Sequence, residues 1–105
     1  MEYSKSMFEY WTEDDFASSF RKMLTIEQFR SEEMQKLYQQ YLVAGPASYV
    51  KDLFESIGIV NAKDKAARFY AVMHFYYSLY DGAEDKENVK DEFVSAIKSL
   101  VQDLA

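Results

Sequence analysis

Hydrophobic residues along the chain recur at every third or fourth position, and no segment alternates between polar and apolar residues over the length of a strand. The series Met34, Leu37, Tyr38, Tyr41 and Leu42 illustrates the pattern, because its spacing places all five side chains on one face of a helix. The pattern predicts an all-α protein, an orthogonal or bundled array of about five to six helices. The 105 residues are long enough for one core, so residues 1–105 are expected to form a single domain.

Polar and turn-forming residues predict where the helices begin and end. Thr12 followed by Asp15 has the spacing of a capping box, so a helix is expected to begin there, after the last turns of an earlier one. Its inner face is then predicted to carry Phe16, Phe20, Met23 and Leu24. Ser31 is expected to cap the next helix, which Gly45-Pro46 should end, and Gly58 should end the helix after that.

Two long helices are predicted in the second half of the chain. The first runs from Asn61 to about Asp81 with Gly82 as its stop, and its apolar residues point in nearly every direction, which is typical of a helix covered on all sides. The second runs from about Lys86 to Leu104. One of its faces carries Val89, Phe93, Ile97, Leu100 and Leu104.

Each of these helices has more apolar surface than one small core can cover, which predicts a homodimer built from the two final helices. The expected interface residues are Ala67, Ala71, His74, Ser78, Val94 and Val101. Three interpretations of His74 stay open: a hydrogen-bonded or half-exposed histidine, a helix-packing position, or a ligand contact.

Composition and charge limit the classes of function that are expected for this chain. The net charge is −6 and basic residues are dispersed, so nucleic-acid binding by this chain alone is not expected. No apolar segment approaches the roughly 20 residues of a membrane span, and no secretory signal is present, which favours a cytoplasmic protein without membrane contact. With one histidine, no cysteine and no catalytic or phosphate-binding motif, neither enzyme activity nor a metal or cofactor is expected.

Aromatic residues make up 17% of the chain, including nine tyrosines. Several tyrosines fall on apolar helical faces, where a buried hydroxyl needs a hydrogen-bond partner. Two interpretations stay open: the hydroxyls reach the surface from an ordinary core, or they serve as polar handles in an apolar cavity. On the second interpretation a small apolar or aromatic effector occupies a cavity lined by Phe20, Leu24, Tyr41, Phe54, Phe69, Met73 and Tyr76.

Four short patterns occur in the same order as in a known family: R-x-M-L-T-x-E-Q-F (21–29), LY-x-x-YL (37–42), AA-x-FY (66–70) and LYD (79–81). In these, and from about Phe8 to Leu104, the chain resembles the C-terminal region of TetR/AcrR-type transcriptional regulators. The resemblance implies an all-helical regulatory domain that binds a small, often apolar effector and dimerises through its last two helices.

The family's N-terminal helix-turn-helix has no counterpart here, so DNA binding is not carried over to this chain. Two origins are compatible with that: an effector domain separated from its DNA reader, or a protein that has lost it. The sequence thus favours a ligand-sensing and dimerisation domain of a transcriptional regulator. The alternative is a stand-alone helical interaction module that binds a partner helix and no small molecule.

Overall fold

The computed structural model describes residues 2–104, with the side chains of residues 3–103. Helix accounts for 87% of this part of the chain, and no strand occurs in it. The elements are α1 (Glu2–Glu13), α2 (Asp15–Glu27), α3 (Glu32–Tyr38), a π-helical segment (Gln39–Val43), α4 (Ala44–Ser56), α5 (Ala62–Gly82) and α6 (Lys86–Leu104). Since α3, the π segment and α4 are continuous, the described residues form five helical units. The predicted all-α class is confirmed.

The junction between α1 and α2 lies two residues later than predicted. Thr12 is inside α1, where its hydroxyl donates to the carbonyl oxygen of Phe8 at 2.6 Å. Asp14 is the cap of α2, and its carboxylate accepts a hydrogen bond from the backbone N–H of Ala17 at 2.9 Å. The prediction that Thr12 begins the helix is therefore wrong, because its hydroxyl bonds back to the preceding turn instead.

The inner face of α2 also differs from the prediction. Leu24 is buried, but Phe16 is 74% exposed and Met23 is also exposed. The buried face includes Ala17 and Arg21, about a third of a turn away from the expected position. The buried face is rotated from the predicted one because Arg21 is buried, and its guanidinium forms hydrogen bonds with Trp11 and Asp81.

Two predicted helix boundaries agree with the structure. Ser31 caps α3, and its hydroxyl accepts from the backbone N–H of Met34 at 3.1 Å. After α4, Gly58 has φ +81°, while its N–H donates to Glu55 and the N–H of Ile59 donates to Phe54. This pair of bonds is the Schellman motif, and it favours glycine because other residues rarely adopt a positive φ.

Gly45-Pro46 does not end a helix, contrary to the prediction. Both residues lie in the first turn of α4, a place where proline is tolerated. The π segment comes directly before this turn of α4. The helix changes direction at Val43, whose φ of −132° and ψ of −84° are not helical. A Cβ atom at position 45 would overlap the carbonyl oxygen of Gln40, so this close approach requires glycine.

The later helices follow the prediction closely. Asn61 immediately precedes α5 in a left-handed conformation, although its side chain makes no capping bond. On α6, Val89, Phe93 and Ile97 are buried and Leu100 is partly buried. Leu104 was also predicted on this face, but its side chain lies outside the described residues.

A stack of aromatic rings joins three helices at the main core. Phe8 of α1 stacks on Phe93 of α6 with ring centroids 4.2 Å apart, and on Tyr77 of α5 at 5.9 Å. A second, smaller core of Leu24, Tyr38 and Leu42 joins α2 to α3 and the π segment. Lys90 also ties α6 to α1, since its Nζ lies 2.9 Å from a carboxylate oxygen of Glu9 and 2.9 Å from one of Glu13.

The molecule is flat, with extents of 39 × 34 × 17 Å, the thickness of two helical layers. Its accessible surface is 6765 Å², whereas a compact monomer of this mass exposes about 6,100 Å². Among the described residues, no helix combines the length and apolar character needed to cross a bilayer.

Candidate functional site

An aromatic cleft of about 420 Å³ opens between α1 and the junction of the π segment with α4. Helix α5 forms its floor. The kink at Gly45-Pro46 turns α4 away from α3 and so forms one wall. The residues that line the cleft are Tyr3, Met7, Trp11, Gln40, Tyr41, Gly45, Pro46, Tyr49, Tyr70, Met73 and Tyr77.

The lining has the composition of a binding site for an apolar, aromatic ligand. It includes five tyrosines, one tryptophan and two methionines, and none of the lining residues carries a formal charge. At the mouth, the rings of Tyr3 and Tyr49 lie 5.6 Å apart and connect α1 to α4. Apolar walls with a few polar groups are typical of small-molecule sites, and Gln40 and the tyrosine hydroxyls supply those groups.

The two tyrosines of the floor are electrically neutral under ordinary conditions. Burial raises the pKa of Tyr70, and the neighbouring Tyr38 raises it further. Burial likewise raises the pKa of Tyr77. The hydroxyl of Tyr70 donates to the carbonyl oxygen of Leu42 at 2.5 Å, so its proton is already used within the chain.

The residues predicted to line an effector cavity are divided among separate places. Tyr41 and Met73 line the cleft. Phe20 packs against Tyr41 with ring centroids 5.6 Å apart, and Leu24 is buried beside it in the second core.

The other three predicted residues lie in the main core. The rings of Phe54 and Phe69 meet edge to face at 5.6 Å, and Tyr76 packs on Phe93 at 5.8 Å. The cleft instead includes α1 and α4 residues that the sequence analysis did not select, notably Trp11 and Tyr49. The tyrosine surplus was the signal for them, but helical periodicity does not indicate which helices face one another.

Four of the predicted dimer residues lie together on one side of α5. Ala67, Ala71 and Ser78 are exposed, and with His74 they line a shallow apolar groove of about 510 Å³. Phe75, 58% exposed, lies along the same groove. The two predicted residues of α6 lie elsewhere.

On α6, Val94 is partly buried against the main core, while Val101 is 40% exposed. Val94 therefore contributes to the fold of the single chain, and Val101 remains available to a partner.

His74 has a defined hydrogen bond within the chain. Its Nε2 lies 3.2 Å from the hydroxyl of Tyr38, so it links α5 to α3. Burial lowers the pKa of His74, and the positive charge of Arg21 lowers it further.

A polar pocket of about 220 Å³ lies between α2 and α5, and its lining shares Tyr77 with that of the cleft. Its main feature is an ion pair in which Arg21 Nη2 lies 2.6 Å from Asp81 Oδ1. Arg21 Nε also donates to the carbonyl oxygen of Trp11 at 3.0 Å, and the guanidinium carbon lies 5.6 Å from the centre of the Tyr77 ring. Arg21 therefore joins α1, α2 and α5.

Comparison of the chain with protein-family models, with curated proteins and with solved structures finds no match. Within the described residues, no group of three or more acidic or histidine side chains is arranged to hold a metal ion. The aromatic cleft is thus the candidate site on its own geometry.

Proposed function

We propose that this chain is a ligand-sensing domain that binds a small apolar or aromatic effector in the aromatic cleft. The observation that carries the proposal is a concave site of about 420 Å³ with six aromatic residues and no charged residue in its lining. Such a site favours planar apolar molecules, since aromatic rings stack on the walls and the tyrosine hydroxyls orient them.

Binding in the cleft can change how the surrounding helices are arranged. The walls belong to α1 and to the kinked junction before α4, and the floor belongs to α5. A ligand that bridges these walls favours the arrangement in which they are closest, and so shifts the population between arrangements of α1 and α4.

The resemblance to the C-terminal region of TetR/AcrR-type regulators supports the same proposal from the sequence. On this proposal, the shift in helix arrangement is transmitted in the cytoplasm to a DNA-binding domain outside this sequence. The chain itself contacts the effector and a second copy of itself, and it does not contact DNA.

The proposed homodimer uses the groove along α5. Its exposed small residues, Ala67 and Ala71, let a partner helix approach closely, and Phe75 provides apolar area to cover. The surface of the chain exceeds that of a compact monomer of its mass by about 700 Å², as a flat molecule with uncovered apolar faces does.

A stand-alone interaction module is the alternative. The observation in its favour is an exposed apolar series on and just after α4, formed by Tyr49, Leu53, Ile57 and Val60. Residues 49, 53 and 57 are spaced by four, as in a surface that docks a partner helix.

Thermal unfolding in the presence of a panel of aromatic and aliphatic compounds tests the sensing proposal. A ligand at about a hundred times its Kd stabilises the fold by about 2.7 kcal/mol, which for a domain of this size raises Tm by roughly 10 °C or more. Tyr49→Ser, at the cleft mouth, should weaken the effect. Phe29→Ser is the matched control, because it removes an exposed ring that lines neither the cleft nor the groove along α5.

Two outcomes would contradict the sensing proposal. If no compound changes Tm, or if both variants weaken binding equally, the cleft is not a small-molecule site. Sedimentation velocity of Ala71→Glu and Val101→Asp tests the dimer, and both variants should fold because both positions are exposed. Ala71→Glu should dissociate a dimer that uses the groove along α5, and dissociation by Val101→Asp as well would mean that the interface extends to α6.

A further inference from the structure

The polar pocket between α2 and α5 contains a guanidinium that its protein partners do not saturate. Arginine has five N–H donors. One of those of Arg21 is given to Trp11 and one to Asp81. Within residues 2–104, Arg21 Nη1 makes no hydrogen bond, although the side chain is only 6% exposed.

Arg21 Nη1 is not fully enclosed by the protein. Among the described residues, no side-chain nitrogen or oxygen is both fully buried and without a partner. Arg21 Nη1 must therefore be accessible, and the concave space that Arg21 lines is the polar pocket. A nearly buried guanidinium with accessible donors is ready to accept an anion, because much of its desolvation has already occurred on folding.

The charge of the pocket differs in sign from that of the chain. Lys22 and Arg21 bring two positive charges, and Asp81 brings one negative charge, with Lys22 Nζ 4.0 Å from Asp81 Oδ1. The pocket thus carries about one net positive charge in a chain whose net charge is −6.

The hydroxyls of the pocket differ in their availability. The Thr25 hydroxyl already donates to the Arg21 carbonyl oxygen at 2.8 Å. Ser78 is exposed and lines both this pocket and the groove along α5, so in the single chain its hydroxyl is available to a ligand.

We propose that this pocket binds the carboxylate of a small organic acid, held by Arg21 Nη1, Lys22 Nζ and the hydroxyl of Ser78. A carboxylate is the preferred chemistry because its two oxygens match the planar fork of a guanidinium. The lining of the pocket shares only Tyr77 with that of the aromatic cleft, so the proposal does not depend on the effector proposed above.

Titration of the full chain with sodium acetate and sodium benzoate, followed by ¹H–¹⁵N NMR at constant ionic strength, tests the proposal. Acetamide and benzamide are the matched neutral probes. Both carboxylates should bind saturably at millimolar concentration and shift the amide signals of Lys22, Thr25 and Ser78, whereas the amides should not.

Substitutions then assign the contacts. Lys22→Gln should weaken carboxylate binding about fivefold, since one charge-assisted contact at a half-exposed position is lost. Lys98→Gln makes the same charge change on α6, away from the pocket, and should have no effect. Ser78→Ala should weaken binding about threefold.

Three results would overturn the proposal. The first is the absence of saturable shifts with either carboxylate, and the second is equal weakening by Lys22→Gln and Lys98→Gln, which indicates a diffuse ionic effect. The third is saturable binding of inorganic phosphate without binding of the carboxylates. Lys22 and Ser78 are both exposed, so these variants should fold even if substitution of Arg21 itself does not allow folding.

Discussion

The hydroxyl of Tyr70 on α5 donates to the carbonyl oxygen of Leu42, which lies four residues before Pro46 in the sequence. In an α-helix this oxygen would accept from the N–H of residue 46, which proline lacks. A side chain from a different helix thus provides a hydrogen bond at the place where the helix kinks. The same tyrosine lines the cleft, so the kink and the floor of the candidate site share one residue.

Tyr70→Phe should destabilise the fold by about 1–2 kcal/mol, because a buried carbonyl loses its donor while the ring still fills its place. Urea unfolding monitored by circular dichroism measures the difference. Tyr76→Phe is the control, since Tyr76 makes no hydrogen bond among the described residues and should change stability by less than about 0.5 kcal/mol. Equal losses in both variants would contradict the role of the Tyr70 hydroxyl.

Gly45→Ala should destabilise the fold by about 2–3 kcal/mol, since its Cβ would overlap the backbone oxygen of Gln40 and the π segment would have to move. Gly82→Ala provides the comparison. No atom lies within 4 Å of a Cβ at that position, at the end of α5, so alanine there should be neutral or stabilising by up to about 1 kcal/mol. Denaturant midpoints of the two variants should move in opposite directions or differ widely.

Asp81→Asn should cost about 2–3 kcal/mol, because it leaves the buried guanidinium of Arg21 without its counter-charge. Asp64→Asn removes one partner of the exposed Asp64–Arg68 pair and should cost less than about 0.5 kcal/mol. Unfolding in low and high salt separates the two further, since only the exposed pair is screened effectively. A loss at Asp81 as small as that at Asp64 would mean that Arg21 is adequately solvated through the pocket.

His74 should make stability fall as the solution is acidified below about pH 6.5. Burial, and then the charge of Arg21, lowers the pKa of His74 in the folded chain. Between that pKa and the unfolded value of about 6.5 the unfolded chain binds a proton that the folded chain does not, so unfolding is favoured as pH falls. The other charged groups that line its pocket are Lys22 and Asp81.

Urea unfolding at a series of pH values from about 7.5 to 5.5, where most carboxylates stay ionised, measures this slope. His74→Gln should reduce it, while the hydrogen bond to Tyr38 can still form through the amide. An unchanged slope in the variant would assign the pH dependence to the carboxylates instead.

Local sequence signals predicted those parts of the fold that depend on local chemistry. Ser31 and Gly58 act within one turn of their own helices, and α6 has the predicted bounds, with Val89, Phe93 and Ile97 of its predicted apolar face buried. The prediction for Thr12 was wrong because Thr12 and Asp14 are both suitable caps for α2. The carboxylate of Asp14, two positions later, makes the capping hydrogen bond.

Non-local relationships could not be predicted in the same way. Nothing in the spacing of α2 shows that Arg21 is buried, since its partner Asp81 is sixty residues away in sequence. The aromatic excess predicted a cavity, but the cleft depends on how α1 faces α4 across the kink. The two-residue signal Gly45-Pro46 fits a helix end as well as a first turn.

A molecule this flat should unfold with a small change in heat capacity. Two helical layers leave a large share of the side chains near the surface, as the exposed rings of Phe16, Phe29 and Phe75 show. Unfolding then exposes less new apolar area per residue. The heat-capacity change should therefore lie below the usual value of roughly 12–15 cal/mol/K per residue. The stability of the single chain would accordingly vary little with temperature, and covering its faces by a second copy would restore the curvature that a thicker domain has by itself.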